Sequence, residues 1–122
     1  MKTLIFLLVL LLPQIVYSQE LVASYYSAES LVKEGTRKQG EKQIMANGKE
    51  FKDDSMVCAS RDYPLGVWLI VTNCNNGRSV IVQVTDRIGR RFKGKRIDLS
   101  KGAFSKIANC EQGIVSVKVT KL

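Results

Sequence analysis

Two alternating apolar runs with a short polar break between them fix much of what this chain can become. Residues 67–72 read Val-Trp-Leu-Ile-Val-Thr, and residues 79–85 read Ser-Val-Ile-Val-Gln-Val-Thr. Between them lies Asn73-Cys74-Asn75-Asn76-Gly77-Arg78, whose Asn-Asn-Gly centre suits the positive φ of a tight reversal. Period-two alternation rich in β-branched residues marks half-buried strands, so a β-hairpin is predicted here. Trp68 falls inside the alternating run and is expected in the core rather than on the surface.

Shorter strand patterns surround the hairpin, at residues 21–26 (Leu-Val-Ala-Ser-Tyr-Tyr), 56–60, 96–99 and 114–119. Ser100 is placed as the N-cap of a helix over 101–109, with Ala103, Phe104, Ile107 and Ala108 on one face and Gln112-Gly113 as the stop. Residues 28–50 are polar and carry Gly35, Gly40 and Gly48, which predicts a long loop with a short helix near 28–34. A loop that long in a small domain tends to serve function. Short strands with one late helix predict a mainly β fold, a small barrel.

The amino terminus reads as an export signal. Lys2 precedes the apolar run 4–12 (Leu-Ile-Phe-Leu-Leu-Val-Leu-Leu-Leu), Pro13 breaks it, and Val16-Tyr17-Ser18 offers a cleavage site before Gln19. The run is too short to span a bilayer, which takes about 20 residues. No Cys stands near the cleavage point, so the expectation is a secreted or periplasmic protein without a lipid anchor or stable membrane insertion. Residues 1–18 are then the signal peptide and 19–122 a single domain of 104 residues with a net charge of +7. Such a surface favours anionic partners.

The chain holds no histidine and three cysteines, Cys58, Cys74 and Cys110, without a Cys-x-x-Cys pair. A Cys/His zinc site, a Ser-His-Asp triad and a Cys-His nucleophile are therefore excluded within this chain. No metal or cofactor is expected, and acid–base chemistry falls to carboxylates. In an oxidising compartment, one disulfide and one free thiol are expected.

Five segments, in order, resemble one family. Ala23-Ser24-Tyr25-Tyr26 resembles its A-S-Y/W-Y, and Met45-Ala46-Asn47-Gly48 its T-A-N-G. Val71-Thr72-Asn73 followed by Asn76-Gly77-Arg78-Ser79-Val80 resembles V-T-N-x-x-N-G-R-S-V. Val84-Thr85-Asp86-Arg87 resembles V-N-D-R, and Arg96-Ile97-Asp98-Leu99-Ser100 resembles R-I-I-D-L-S. The register runs from about residue 22 to the C-terminus, and it is the register of the RlpA-like family. The resemblance implies a six-stranded double-psi β-barrel with one or two short helices, the fold of expansins and barwin-type proteins.

It also implies a chemistry, the cleavage of peptidoglycan glycan strands without water. One acid protonates the oxygen between MurNAc and GlcNAc, and the muramyl O6 attacks the anomeric carbon to leave a 1,6-anhydro end. A single carboxylate suffices because the substrate supplies the nucleophile, unlike most glycosidases. Asp86 holds the family's Asp and is the candidate general acid and base; the bland alternative is an Asp that pairs with Arg87 or caps a turn. Tyr26, Asn47, Glu50, Ser60 and Arg87 are the candidate substrate-binding residues.

Two departures bear on activity. The family's T-A-N-G is followed directly by Glu, where this chain has Lys49 and then Glu50. The family's T-A-A-H corresponds to Cys58-Ala59-Ser60, with Ser60 in place of His. The alternative is thus a non-catalytic, expansin-like module that binds wall glycan. Cys74 and Cys110 stand where the family carries apolar residues, which implies burial and a Cys74–Cys110 bridge, with Cys58–Cys74 as runner-up. Residues 87–96 hold six cations, a ligand-contacting loop or a solvated one. No nucleic-acid motif accompanies them, and a monomer bound to peptidoglycan or another wall glycan is expected.

Overall fold

A computed structural model describes residues 17–33 and 40–122. Six strands form β1 (Ser18–Tyr26), β2 (Val57–Ala59), β3 (Trp68–Asn73), β4 (Ser79–Asp86), β5 (Arg96–Ser100) and β6 (Val115–Lys121). Two helices, α1 (Ala28–Lys33) and α2 (Lys101–Ile107), join them, with single 3-10 turns at Arg90–Phe92 and Cys110–Gln112.

The strands close into a barrel in the order β1-β5-β2-β4-β3-β6. Closure pairs every strand on both sides, which removes the exposed edge that invites aggregation. The expected hairpin is β3–β4, antiparallel from Trp68 opposite Gln83 to Thr72 opposite Ser79. Gly77 turns the corner at a φ of +73°, a conformation a side chain would resist. Two pairings are parallel, β1 with β5 and β2 with β4.

The barrel is filled from every strand. Leu69, Val71, Val82, Val84, Ile97, Leu99, Val117 and Val119 point inward and are sealed from solvent. The helix α2 closes over them with Ala103, Phe104 and Ile107. Its start is capped as expected, the Ser100 hydroxyl accepting from the Ala103 amide at 3.2 Å. It ends two residues sooner than expected, because Ala108 has already turned extended at φ −156° and ψ 165°. Burying a side chain such as Phe104 contributes about 1.5–3 kcal/mol.

A second, smaller apolar cluster lies beside the first. Tyr26, Met45, Phe51, Ala59 and Ile88 pack together, with Val57 and Phe92 against them. This cluster fastens the segment 40–56 to the barrel, and Ile44 bridges Glu50 within it.

Two expectations change. Trp68 is 47 % exposed, because β3 turns Leu69, Val71 and Asn73 inward and leaves the opposite phase outside. All three cysteines are free thiols, so neither expected bridge forms. Cys58 is sealed in the core, Cys74 is exposed at the hairpin turn, and Cys110 is half-buried after α2. Cys74 lines a recess with Glu20, Val22 and Lys95, whereas Cys110 lines another with Asp53, Asp54 and Gly102. The apolar run of the expected signal lies outside the described residues, and β1 begins at Ser18, one position before the expected cleavage point.

Candidate functional site

The sheet register brings two carboxylates onto one surface. Ser24 on β1 stands opposite Asp98 on β5, Asp98 opposite Ala59 on β2, and Ala59 opposite Asp86 on β4. Four strands thus contribute one residue each to a single row. Neighbouring strands run about 4.8 Å apart, so one intervening strand sets the two aspartate Cα atoms roughly 10 Å apart. Ala59, between them, adds only a methyl group. A bulge between Cys58 and Ala59 re-aims this part of β2.

The row forms the floor of a cleft of about 330 Å³, lined also by Tyr25, Tyr26, Gln43, Arg87, Ile88 and Arg96. Each carboxylate is held by its own partners. Asp98 Oδ1 accepts from the Ser24 hydroxyl at 2.9 Å. Asp86 Oδ1 accepts from the backbone amides of Ala46 at 3.0 Å and Arg87 at 2.9 Å. Both acids are half-buried.

Tyr26 lies beside both acids. Its ring stacks on Phe51 with centroids 4.4 Å apart, and its hydroxyl is buried without a hydrogen-bond partner. Burial, and then the negative charges of Asp86 and Asp98, push its ionisation far above the ordinary phenol value. The phenol is therefore neutral, a donor with an unmade hydrogen bond. The thiol of Cys58 is likewise pushed up, first by burial and then by Asp98, and is inert as a nucleophile.

Of the sequence-predicted residues, Asp86, Tyr26 and Arg87 line this cleft. Asn47 and Glu50 are exposed on the segment above it. Asn47 holds a turn there, its amide donating to Thr85 O at 3.1 Å and its Oδ1 accepting from the Lys49 amide at 3.0 Å. Gly48 completes that turn at φ +86°. Ser60 is fully buried, and its hydroxyl accepts from the Asp62 amide at 3.0 Å. The carbonyl of Ser60 accepts from Arg87 Nη1 at 2.8 Å, as does Tyr63 O at 2.7 Å.

Asp98, Ser24 and Gln43 are the lining residues that sequence reasoning passed over. The signal for Asp98 was present, a lone acid between Ile97 and Leu99 in a short strand. Its meaning depends on the parallel pairing of β1 with β5, which no local pattern announces.

Residues 18–119 match the family model described as lytic transglycolase. An uncharacterized protein of Synechocystis sp. is 44% identical over 78 residues, covering 64% of this chain and 81% of that protein. A probable endolytic peptidoglycan transglycosylase RlpA of Nostoc sp. is 39% identical over 77 residues, 63% of this chain. The matched region is only 20% of that relative's length. Among solved structures, a papain inhibitor of Streptomyces superposes with a TM-score of 0.64 at 22% identity, covering 87% of this chain and 94% of the inhibitor. An expansin of Clavibacter michiganensis superposes with a TM-score of 0.63 at 23% identity, covering 87% of this chain and 50% of the expansin. The structural likenesses establish the fold, a double-psi β-barrel.

Proposed function

The chain belongs to the lytic transglycolase family, and from that membership we propose that it cleaves cell-wall glycan outside the cytoplasm, in the cleft that holds Asp86 and Asp98. The observation that carries this reading is the row Asp98–Ala59–Asp86, which turns two carboxylates toward one groove. Its relatives include proteins named as endolytic peptidoglycan transglycosylases, which supports peptidoglycan as the substrate. Residues 1–18 direct its export and are removed in the process.

Asp86 serves as the general acid toward the glycosidic oxygen and then as the base toward the muramyl O6 hydroxyl, a proton shuttle on one side chain. Its Oδ1 is fixed by two backbone amides, and Oδ2 is the atom left to exchange the proton. Asp98, oriented by Ser24, provides negative charge where the ring carbon becomes cationic. The hydroxyl of Tyr26 offers a hydrogen bond to a substrate oxygen after a small rotation. Arg87 holds the wall of the cleft through Ser60 O and Tyr63 O.

The second reading, a module that holds glycan without cutting it, rests on Ser60. The family's His position is occupied by a sealed serine turned toward a backbone amide. Digestion of peptide-stripped peptidoglycan by the mature domain separates the two. Anhydromuramyl products that disappear in Asp86→Asn support cleavage. Absence of products, with the protein still sedimenting with wall material, supports binding alone.

A further inference from the structure

A second cleft adjoins the first and, unlike the first with its two acids and two arginines, is net positive. Arg61, Arg87, Arg90 and Lys93 line it together with Tyr63 and Pro64, around the single carboxylate of Asp62. Its volume is about 590 Å³, and Arg87 borders both clefts.

We propose that this basic cleft is a carboxylate subsite, which grips the acidic group of a sugar unit neighbouring the one seated at Asp86 and Asp98. The inference rests on the glycan reading above and adds to it a criterion of selection, acidic glycans over neutral ones.

Two of the cations, Arg61 and Arg87, are fixed by neutral acceptors, so their charge stays available. Arg61 Nε donates to Ile88 O at 2.6 Å, and Arg87 Nη1 donates to two backbone carbonyls. The one acid is already engaged, Asp62 Oδ1 accepting from the Gly94 amide at 2.8 Å, while its Oδ2 is buried without a partner. Four cations against one carboxylate leave a net positive recess, and concave walls concentrate anions more than a flat surface does. Guanidinium groups match carboxylates with two parallel hydrogen bonds.

The loop that carries Arg90 and Lys93 is built rather than loose. Phe92 packs on the second apolar cluster, with Arg91 and Arg96 over its ring at 4.7 and 4.8 Å. The 3-10 turn Arg90–Phe92 and the Gly94–Asp62 bond hold the loop against residues 61–63. Tyr63 and Pro64 supply an apolar wall on which a sugar ring can lie. A glycan with one lactyl carboxyl per disaccharide is then read at two places, its glycosidic bond in one cleft and its acid in the next.

The test measures binding of the mature domain to peptide-stripped glycan, to the same glycan with its carboxyls converted to amides, and to a chitin oligosaccharide. Arg90→Gln/Lys93→Gln removes two exposed cations of the cleft, and Lys118→Gln/Lys121→Gln removes two on β6 as a charge control. The native domain is expected to bind the acidic glycan about tenfold or more tightly than the amidated one or chitin. The cleft variant loses that preference, and the β6 variant keeps it. Equal binding of acidic and amidated glycan by the native domain overturns the subsite while leaving the glycan reading intact. So does an equal loss in the two variants, which assigns the preference to net charge. Binding to none of the three overturns the glycan reading, and the subsite with it.

Discussion

Asp86 at the end of β4 accepts a hydrogen bond from the amide of Ala46, forty positions earlier in the chain. The proposed acid is thus also a clasp, because the same oxygen that orients it for chemistry holds down the segment above the cleft. Thr85 adds two more ties, its carbonyl to the Asn47 amide and its hydroxyl to Met45 Sδ at 3.2 Å. Chemistry and loop order are therefore coupled at one residue.

That coupling separates two substitutions. Asp86→Asn keeps a carbonyl acceptor for Ala46 and should hold most of the stability while lowering cleavage by about 10²–10⁴-fold. Asp86→Ala takes the acceptor from two amides that water can still reach and should cost about 0.5–1.5 kcal/mol in addition. Thermal unfolding alongside product analysis distinguishes them, and equal stability of the two variants contradicts the clasp.

Tyr26→Phe tests the unpartnered hydroxyl. Removing a buried donor that makes no bond should leave the free protein unchanged or stabilise it, by up to about 1–3 kcal/mol. Glycan binding should weaken at the same time, since the donor is assigned to the ligand. A fall in the melting temperature of the free protein shows that the hydroxyl already has a partner.

Alkaline pH should erode stability in two overlapping steps. The folded state raises the ionisation of Cys58 above its ordinary 9.0 and of Tyr26 above its ordinary 10.0, so it binds more protons than the unfolded chain at high pH. Their contribution is complete below these ordinary values and is lost as the pH climbs past them. Urea unfolding between pH 8 and 11 should show a falling midpoint. The slope should be shallower in Tyr26→Phe, and an unchanged slope contradicts the assignment.

Gly102→Ala should destabilise the fold although alanine is the better helix former. A Cβ at this position would meet the carbonyl oxygen of Asp53 at 2.8 Å and the Cα of Asp54 at 2.9 Å, both backbone atoms that have little room to yield. The Gly102 amide also donates to that Asp53 carbonyl at 2.7 Å. An overpacking cost of about 1–3 kcal/mol outweighs a propensity gain of about 1 kcal/mol. A raised melting temperature refutes this.

The thiols should report their surroundings directly. In native buffer, a disulfide-exchange reagent should label Cys74 fast, Cys110 more slowly and Cys58 only after unfolding. Reductant should leave the unfolding transition where it was. A protected Cys74–Cys110 pair contradicts the free state.

The strands and the capped helix were legible because each is a local pattern. The hairpin announced itself through alternation and Asn-Asn-Gly, and Ser100 through a hydroxyl placed before an apolar face. Trp68 was misplaced because alternation gives the period of a strand and leaves its phase open, and β3 turned the smaller Leu69 inward. The cysteine bridge failed because pairing depends on which surface each turn faces. Asp86 was found through motif resemblance, while Asp98 was missed because its significance lies in the strands beside it. The loop residues Asn47 and Glu50 were located along the chain, but their distance from the cleft floor was set by the second apolar cluster.

The row of site residues has a consequence for the birth of the protein. Ser24 and Asp98 lie 74 positions apart and meet through parallel pairing, which cannot form until the chain between them has crossed back. Contacts of such long range make folding slow relative to helical bundles of the same size. No fragment ending before β5 contains both walls of the cleft, and none lacking β1 contains its oriented Asp98. A partial chain of either kind therefore lacks a complete cleft. The cleft is complete only once the first strand lies between the fifth and the last.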